Sequence, residues 1–143
     1  QKLQSIDQWG TIQWESMESA FAGAENMTYN ATDTPDLANV TTMAYMFSGA
    51  DRFNGTIGTW DVSSVTDMSH MFYGAERFNQ PLEGWDVSSV TTMRRMFAYA
   101  ERFNQPLEGW DVSRVTKMLL MFYKATNFDQ DLSGWDARPW IFP

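Results

Sequence analysis

The apolar residues Val65, Met68, Met71, Phe72 and Ala75 lie on one recurring spacing. At about 100° per residue they gather into a stripe roughly 120° wide. This spacing predicts an amphipathic helix. Ser63 is the expected N-cap, with Ser88 and Ser113 in the equivalent places, because a Ser oxygen accepts from free N–H groups of a first turn. Gly23, Gly49 and Gly74 near the ends of these stripes predict left-handed terminations, although Tyr99 and Lys124 stand there in later copies. Just upstream, Thr59-Trp60-Asp61-Val62-Ser63 alternates polar and apolar, which predicts a short strand with Trp60 and Val62 inward and Asp61 and Ser63 outward.

The pattern then repeats. From Phe53 to Asn127 one 25-residue unit is written three times, with FNQPLEGWDVSSVTTMRRMFAYAER as its middle copy. A fixed period of this length predicts a stack of units that bury their apolar faces only against one another. The expected fold class is an α/β solenoid, a right-handed, gently curved stack of short parallel strands and short helices with the strands on its inner face. Residues 1–13, with Ile6, Trp9 and Ile12, are expected to cap its beginning. Residues 14–52 are degenerate repeats, because WESMESAFAGA matches VTTMAYMFSGA at a separation of 26 rather than 25 and Pro35-Asp36-Leu37 replaces Trp-Asp-Val. Residues 128–143 form a partial repeat and a C-terminal cap, with Trp140, Ile141 and Phe142 expected to fold over the last turn.

The motif FNQPLxxWDVSxVTxMxxMFxxA resembles the 25-residue surface-protein repeat of Mycoplasma lipoproteins and BspA-like adhesins, which is similar to the leucine-rich repeats. The resemblance runs from about residue 14 to 137. It is most specific at Trp85-Asp86-Val87-Ser88 and Met93-Arg94-Arg95-Met96-Phe97. It implies a leucine-rich-repeat-like domain outside the cell, with roles in adhesion or recognition and no catalytic activity.

Charge narrows the partners. With 18 acidic and 10 basic side chains the net charge is -8, and without a basic stripe nucleic acid is not expected as a partner. No run of about 18 apolar residues predicts a membrane span. Cysteine is absent, which excludes a disulfide scaffold and thiolate metal sites.

Two candidate surfaces follow. Positions that vary between the expected helices include Arg94, Arg95, Tyr99, Lys117, Leu119, Leu120 and Tyr123, and clustered Arg, Tyr and Leu suit a protein interface. The alternative is the column Asp61, Asp86, Asp111 and Asp136, whose carboxylates suit a glycan or calcium unless neighbouring Ser, Thr or backbone N–H groups already occupy them. The Trp column at residues 60, 85, 110 and 135 is expected in the core, or else as a sugar-stacking platform. Asn54, Asn79 and Asn104 are expected to satisfy backbone groups at a tight turn. The identical surroundings of the repeated Asp residues argue against the unlike carboxylate pair that glycosidases need, and His70 is the only histidine. The expected function is therefore noncatalytic, without a cofactor: a secreted or cell-surface recognition module for a protein, with a carbohydrate-binding module or a passive spacer as alternatives.

Overall fold

The computed structural model describes residues 2–135. Asp136 and the expected closure by Trp140, Ile141 and Phe142 lie outside the described residues. The expected α/β solenoid of leucine-rich-repeat type is overturned. The described residues contain no helix and only two short strands, β1 (Ser5–Ile6) and β2 (Thr28–Tyr29), paired in parallel. The rest is loop and turn.

The predicted helices fail for a backbone reason. Tyr45, His70, Arg95 and Leu120 have φ of 60°, 56°, 53° and 58°, and four residues later Gly49, Gly74, Tyr99 and Lys124 have φ of 69°, 69°, 60° and 55°. A left-handed residue recurring every fourth position is incompatible with a right-handed helix. It produces a run of tight turns instead. Met71 N–H donates to Met68 C=O, Tyr73 to His70 and Ala75 to Phe72, each three residues back. The alternate N–H groups of Met68, His70, Phe72 and Gly74 point out of the unit and donate to the carbonyls of Thr92, Arg94, Met96 and Ala98 in the next. The same set runs from Met43, Tyr45, Phe47 and Gly49 to residues 67–73, and from Met93, Arg95, Phe97 and Tyr99 to residues 117–123.

The stripe was nevertheless a burial pattern. Val65, Met68, Met71, Phe72 and Ala75 are all fully buried. A chain of turns whose inward residues fall at spacings of three, three, one and three reproduces the pattern of a helix face.

The expected strand at Thr59–Ser63 also does not form, although its alternation is real: Trp60 and Val62 are buried and Asp61 is exposed. Parallel pairing falls a few residues later, as single bridges joining Thr42, Asp67, Thr92 and Lys117. Thr66, Thr91 and Thr116 reinforce it, each donating its N–H to the Thr carbonyl 25 residues earlier at 2.8 Å. The Ser N-caps are likewise corrected, since with no helix to cap Ser63 and Ser88 donate their hydroxyls to Asp61 and Asp86.

Two columns of Phe form the core. Phe47, Phe72, Phe97 and Phe122 stack at 5.4–5.7 Å between ring centroids, and Phe53, Phe78, Phe103 and Phe128 at 5.6–6.0 Å. Within each unit the two rings lie nearly parallel, with Phe72 4.2 Å from Phe78. The Trp residues lie at the core rather than forming an exposed platform, with Trp85 and Trp110 3% and 4% exposed. Three satisfy their indoles by reaching back: Trp85, Trp110 and Trp135 donate Nε1–H to the carbonyls of Ile57, Leu82 and Leu107 at 2.9–3.0 Å. Asn54, Asn79 and Asn104 complete the frame, their side-chain oxygens accepting the N–H groups of Asn79, Asn104 and Asp129 at 2.9–3.0 Å.

Candidate functional site

The turn ladder places its outward side chains on a common face. Residues that open each turn are Asp67, Thr92 and Lys117, and Asp67 Oδ1 accepts the Ser69 N–H at 2.9 Å. Ser69, Arg94 and Leu119 follow in one column, then His70, Arg95 and Leu120 in the next. These last residues are left-handed. Arg94, Lys117 and Leu119 are exposed, whereas Arg95 and Leu120 are half-buried.

An aromatic row crosses this face. Tyr45 stacks on His70 at 4.4 Å with planes 9° apart. His70 meets Tyr73 at 5.5 Å, Tyr73 meets Tyr99 edge-on at 5.3 Å, and Tyr99 meets Tyr123 edge-on at 5.5 Å. Tyr45, Tyr99 and Tyr123 are exposed. Lys124 Nζ lies 5.8 Å from the Tyr123 ring centre, a cation–π distance. Arg94, Lys117 and Leu119 also line a shallow recess of about 410 Å³.

The electrostatics of this face are local. Burial, then Arg95 and Arg94, hold the His70 imidazole below the ordinary histidine value, against an opposing pull from Asp67. His70 Nδ1 and Arg95 Nε are buried without a hydrogen-bond partner. His70, the only histidine, is a half-buried member of an aromatic row. Tyr73 continues the row, and Tyr45, which was not among the expected interface residues, completes it from a left-handed position that the helical reading hid.

The alternative site behaves differently. Asp61 and Asp86 each accept both the hydroxyl and the N–H of the Ser two residues on, at 2.6 Å and 3.0–3.1 Å. Asp111 accepts the Ser113 N–H at 3.0 Å. The side-chain hydrogen bonds from Ser63, Ser88 and Ser113, followed by their N–H groups, hold these carboxyls below the usual aspartate value. Asp86 also feels an opposing push from Asp61 and Asp111. No group of three or more metal-ligating side chains converges among the described residues.

These features define a protein of repeated 25-residue units whose turns stack through backbone hydrogen bonds. The chain belongs to the family described as Mycoplasma protein of unknown function, DUF285, whose model matches residues 1–86 and 55–139. This fits the Mycoplasma-type repeat; it does not extend to the leucine-rich repeats. No curated protein and no solved structure matches the chain. No helix among the described residues is long and apolar enough to cross a membrane.

Proposed function

We propose that this chain is a noncatalytic recognition module, displayed at a cell surface or secreted, that binds a protein partner through its aromatic turn face. The observation that carries this reading is the continuous row Tyr45, His70, Tyr73, Tyr99 and Tyr123, flanked by Arg94, Lys117 and Lys124 on a chain whose net charge is -8. Aromatic and Arg side chains supply a disproportionate share of binding energy at protein interfaces. Here the rings rest on one another and on a hydrogen-bonded backbone, so little side-chain freedom is left to lose on binding. The cations favour a partner with an acidic patch. The likeness of the repeat to that of BspA-like adhesins supports the surface setting.

The test is a binding measurement of the whole chain against a panel of extracellular-matrix proteins. The expected result is saturable binding to at least one of them, weakened at least tenfold by Tyr99→Ala or by the pair Arg94→Glu and Lys117→Glu, with melting unchanged. Binding that survives both changes refutes this face as the site, and silence across the panel favours a passive spacer.

A further inference from the structure

Residues 31–34, 56, 58, 59, 80, 81, 83 and 84, none of them in the aromatic row, line an open cavity of about 740 Å³. That is within the roughly 300–1,000 Å³ of small-molecule sites. The cavity sits where the repeat loses its register. In the regular units each Trp donates its indole N–H to a carbonyl 28 residues earlier. For Trp60 the residue at that separation is Thr32, in the cavity wall, and Trp60 Nε1 is buried with no partner. The degenerate turn does not supply the carbonyl that later turns supply, and its departure leaves a gap between units.

The walls are fixed by close backbone contact. A Cβ on Gly58 would lie 2.4 Å from the Pro81 carbonyl oxygen, and one on Gly84 3.3 Å from the Gly58 carbonyl. Asp33 anchors the third side, its carboxylate accepting the N–H groups of Trp9 and Gly10 at 2.9 Å. Gln80 is held by its Nε2–H on the Asn54 carbonyl at 3.3 Å, which leaves its amide oxygen available.

We infer that this cavity binds a short neutral oligosaccharide. Thr32, Thr34, Thr56 and Thr59 offer four exposed hydroxyls that both donate and accept, and Glu83 adds an exposed acceptor. The Thr methyls, Ala31 and Pro81 supply apolar contact beside those polar groups. A sugar ring has this same mixture, with hydroxyls around its rim and C–H groups on its faces. The wall holds two carboxylates and no cation, so phosphate, sulfate and anionic sugars are disfavoured. The site is independent of the protein-binding face and does not rest on that reading.

The test is calorimetric titration of the whole chain with maltotriose, cellotriose and triacetylchitotriose, alongside inorganic phosphate and spermidine. Saturable binding of at least one trisaccharide is expected, in preference to both ions. The pair Thr56→Val and Thr59→Val should weaken it about tenfold, and so should Glu83→Leu; all three positions are exposed and the melting temperature should hold. Tyr99→Ala should leave it unchanged. The inference is overturned if no trisaccharide binds, if phosphate or spermidine binds more tightly, or if neither change in the wall weakens binding.

Discussion

The imidazole of His70 lies flat on the phenol ring of Tyr45, with centroids 4.4 Å apart and planes 9° apart. Burial and the two neighbouring Arg side chains both favour the neutral ring. His70 should therefore titrate below its ordinary value of about 6.5. A folded-state value below the unfolded one means that His70 opposes folding only when forced to ionise. Its contribution is favourable above the unfolded value and is lost as pH falls towards the folded one. An NMR titration of the His70 ring should give a midpoint below 6.5, and Arg95→Gln should raise it without fully restoring it, because burial is the larger cause.

The Asp column predicts a second pH response at lower values. Asp61, Asp86 and Asp111 have carboxyls held down by hydrogen bonds from Ser63, Ser88 and Ser113. Their contribution is present above the ordinary aspartate value and disappears as pH falls through the folded values beneath it. Ser88→Ala should raise the Asp86 midpoint in a carboxyl NMR titration while leaving Asp61 lowered. Equal midpoints for both residues in that variant would show that the Ser contacts are not the cause.

Left-handed turns give a stability prediction of unusual sign. Lys124 occupies, at φ 55°, the place that Gly74 fills at φ 69°. A left-handed L-residue costs roughly 1–2 kcal/mol that Gly avoids. Lys124→Gly should therefore stabilise the fold by about 1 kcal/mol, raising the melting temperature by about 3 °C. Gly74→Ala should do the reverse by about 1–2 kcal/mol, although a Cβ there would lie no nearer than 3.9 Å to other atoms.

Core substitutions should be far more damaging than those on the aromatic face. Phe97→Ala removes a fully buried ring that stacks on Phe72, Phe103 and Phe122, and should cost about 3–5 kcal/mol. Met96→Ala should cost about 2–5 kcal/mol. Arg94 is exposed and Arg94→Ala should lie within about 0.5 kcal/mol of the parent. Chemical denaturation of the three variants checks the order.

The Asn column is a set of separable side-chain acceptors. Asn79→Ala leaves the Asn104 N–H without its 3.0 Å acceptor and removes the 3.0 Å bond from Gln105 to Asn79 Oδ1, leaving Gln105 its 3.3 Å bond to the Asn79 carbonyl. A loss of about 1–2 kcal/mol is expected in denaturant melts, because both groups sit near water. Asn79→Asp should recover most of it by keeping an acceptor in place.

Much of the interior was legible in the sequence, because burial is a property of side chains. The spacing of Val65, Met68, Met71 and Phe72 named the inward residues, and the repeated Asn and Trp named columns that bond to backbone. The backbone itself was not legible. A run of turns and a helix can bury the same set of positions, and what separates them is the sign of φ at Tyr45, His70, Arg95 and Leu120, of which only the His is a residue type enriched in left-handed geometry. Gly49 and Gly74 were the available signal, and they were assigned to helix ends rather than to every turn. The helical reading already set His70, Tyr73, Tyr99 and Tyr123 on one outward face, but it left out Tyr45 and the ring-to-ring contacts that join them into a row. The cavity near Thr32 was hidden for another reason. It arises from a break in the repeat, and attention to the repeat favours the positions that match.

The hydrogen bonds between units keep a fixed sense at each position, forwards from the turns and backwards from Thr66, Thr91 and Thr116. Met43, Met68 and Met93 all give their N–H forwards, and Asp67, Thr92 and Lys117 all receive from behind. Every regular unit therefore meets its predecessor and successor with the same donors and acceptors, whatever its surface residues. A copy duplicated by recombination can be spliced in at any internal joint without orphaning a backbone group, while its outward side chains are free to diverge. Length and surface can then vary on separate evolutionary clocks, so a lineage can change what its face presents without renegotiating how the chain holds together.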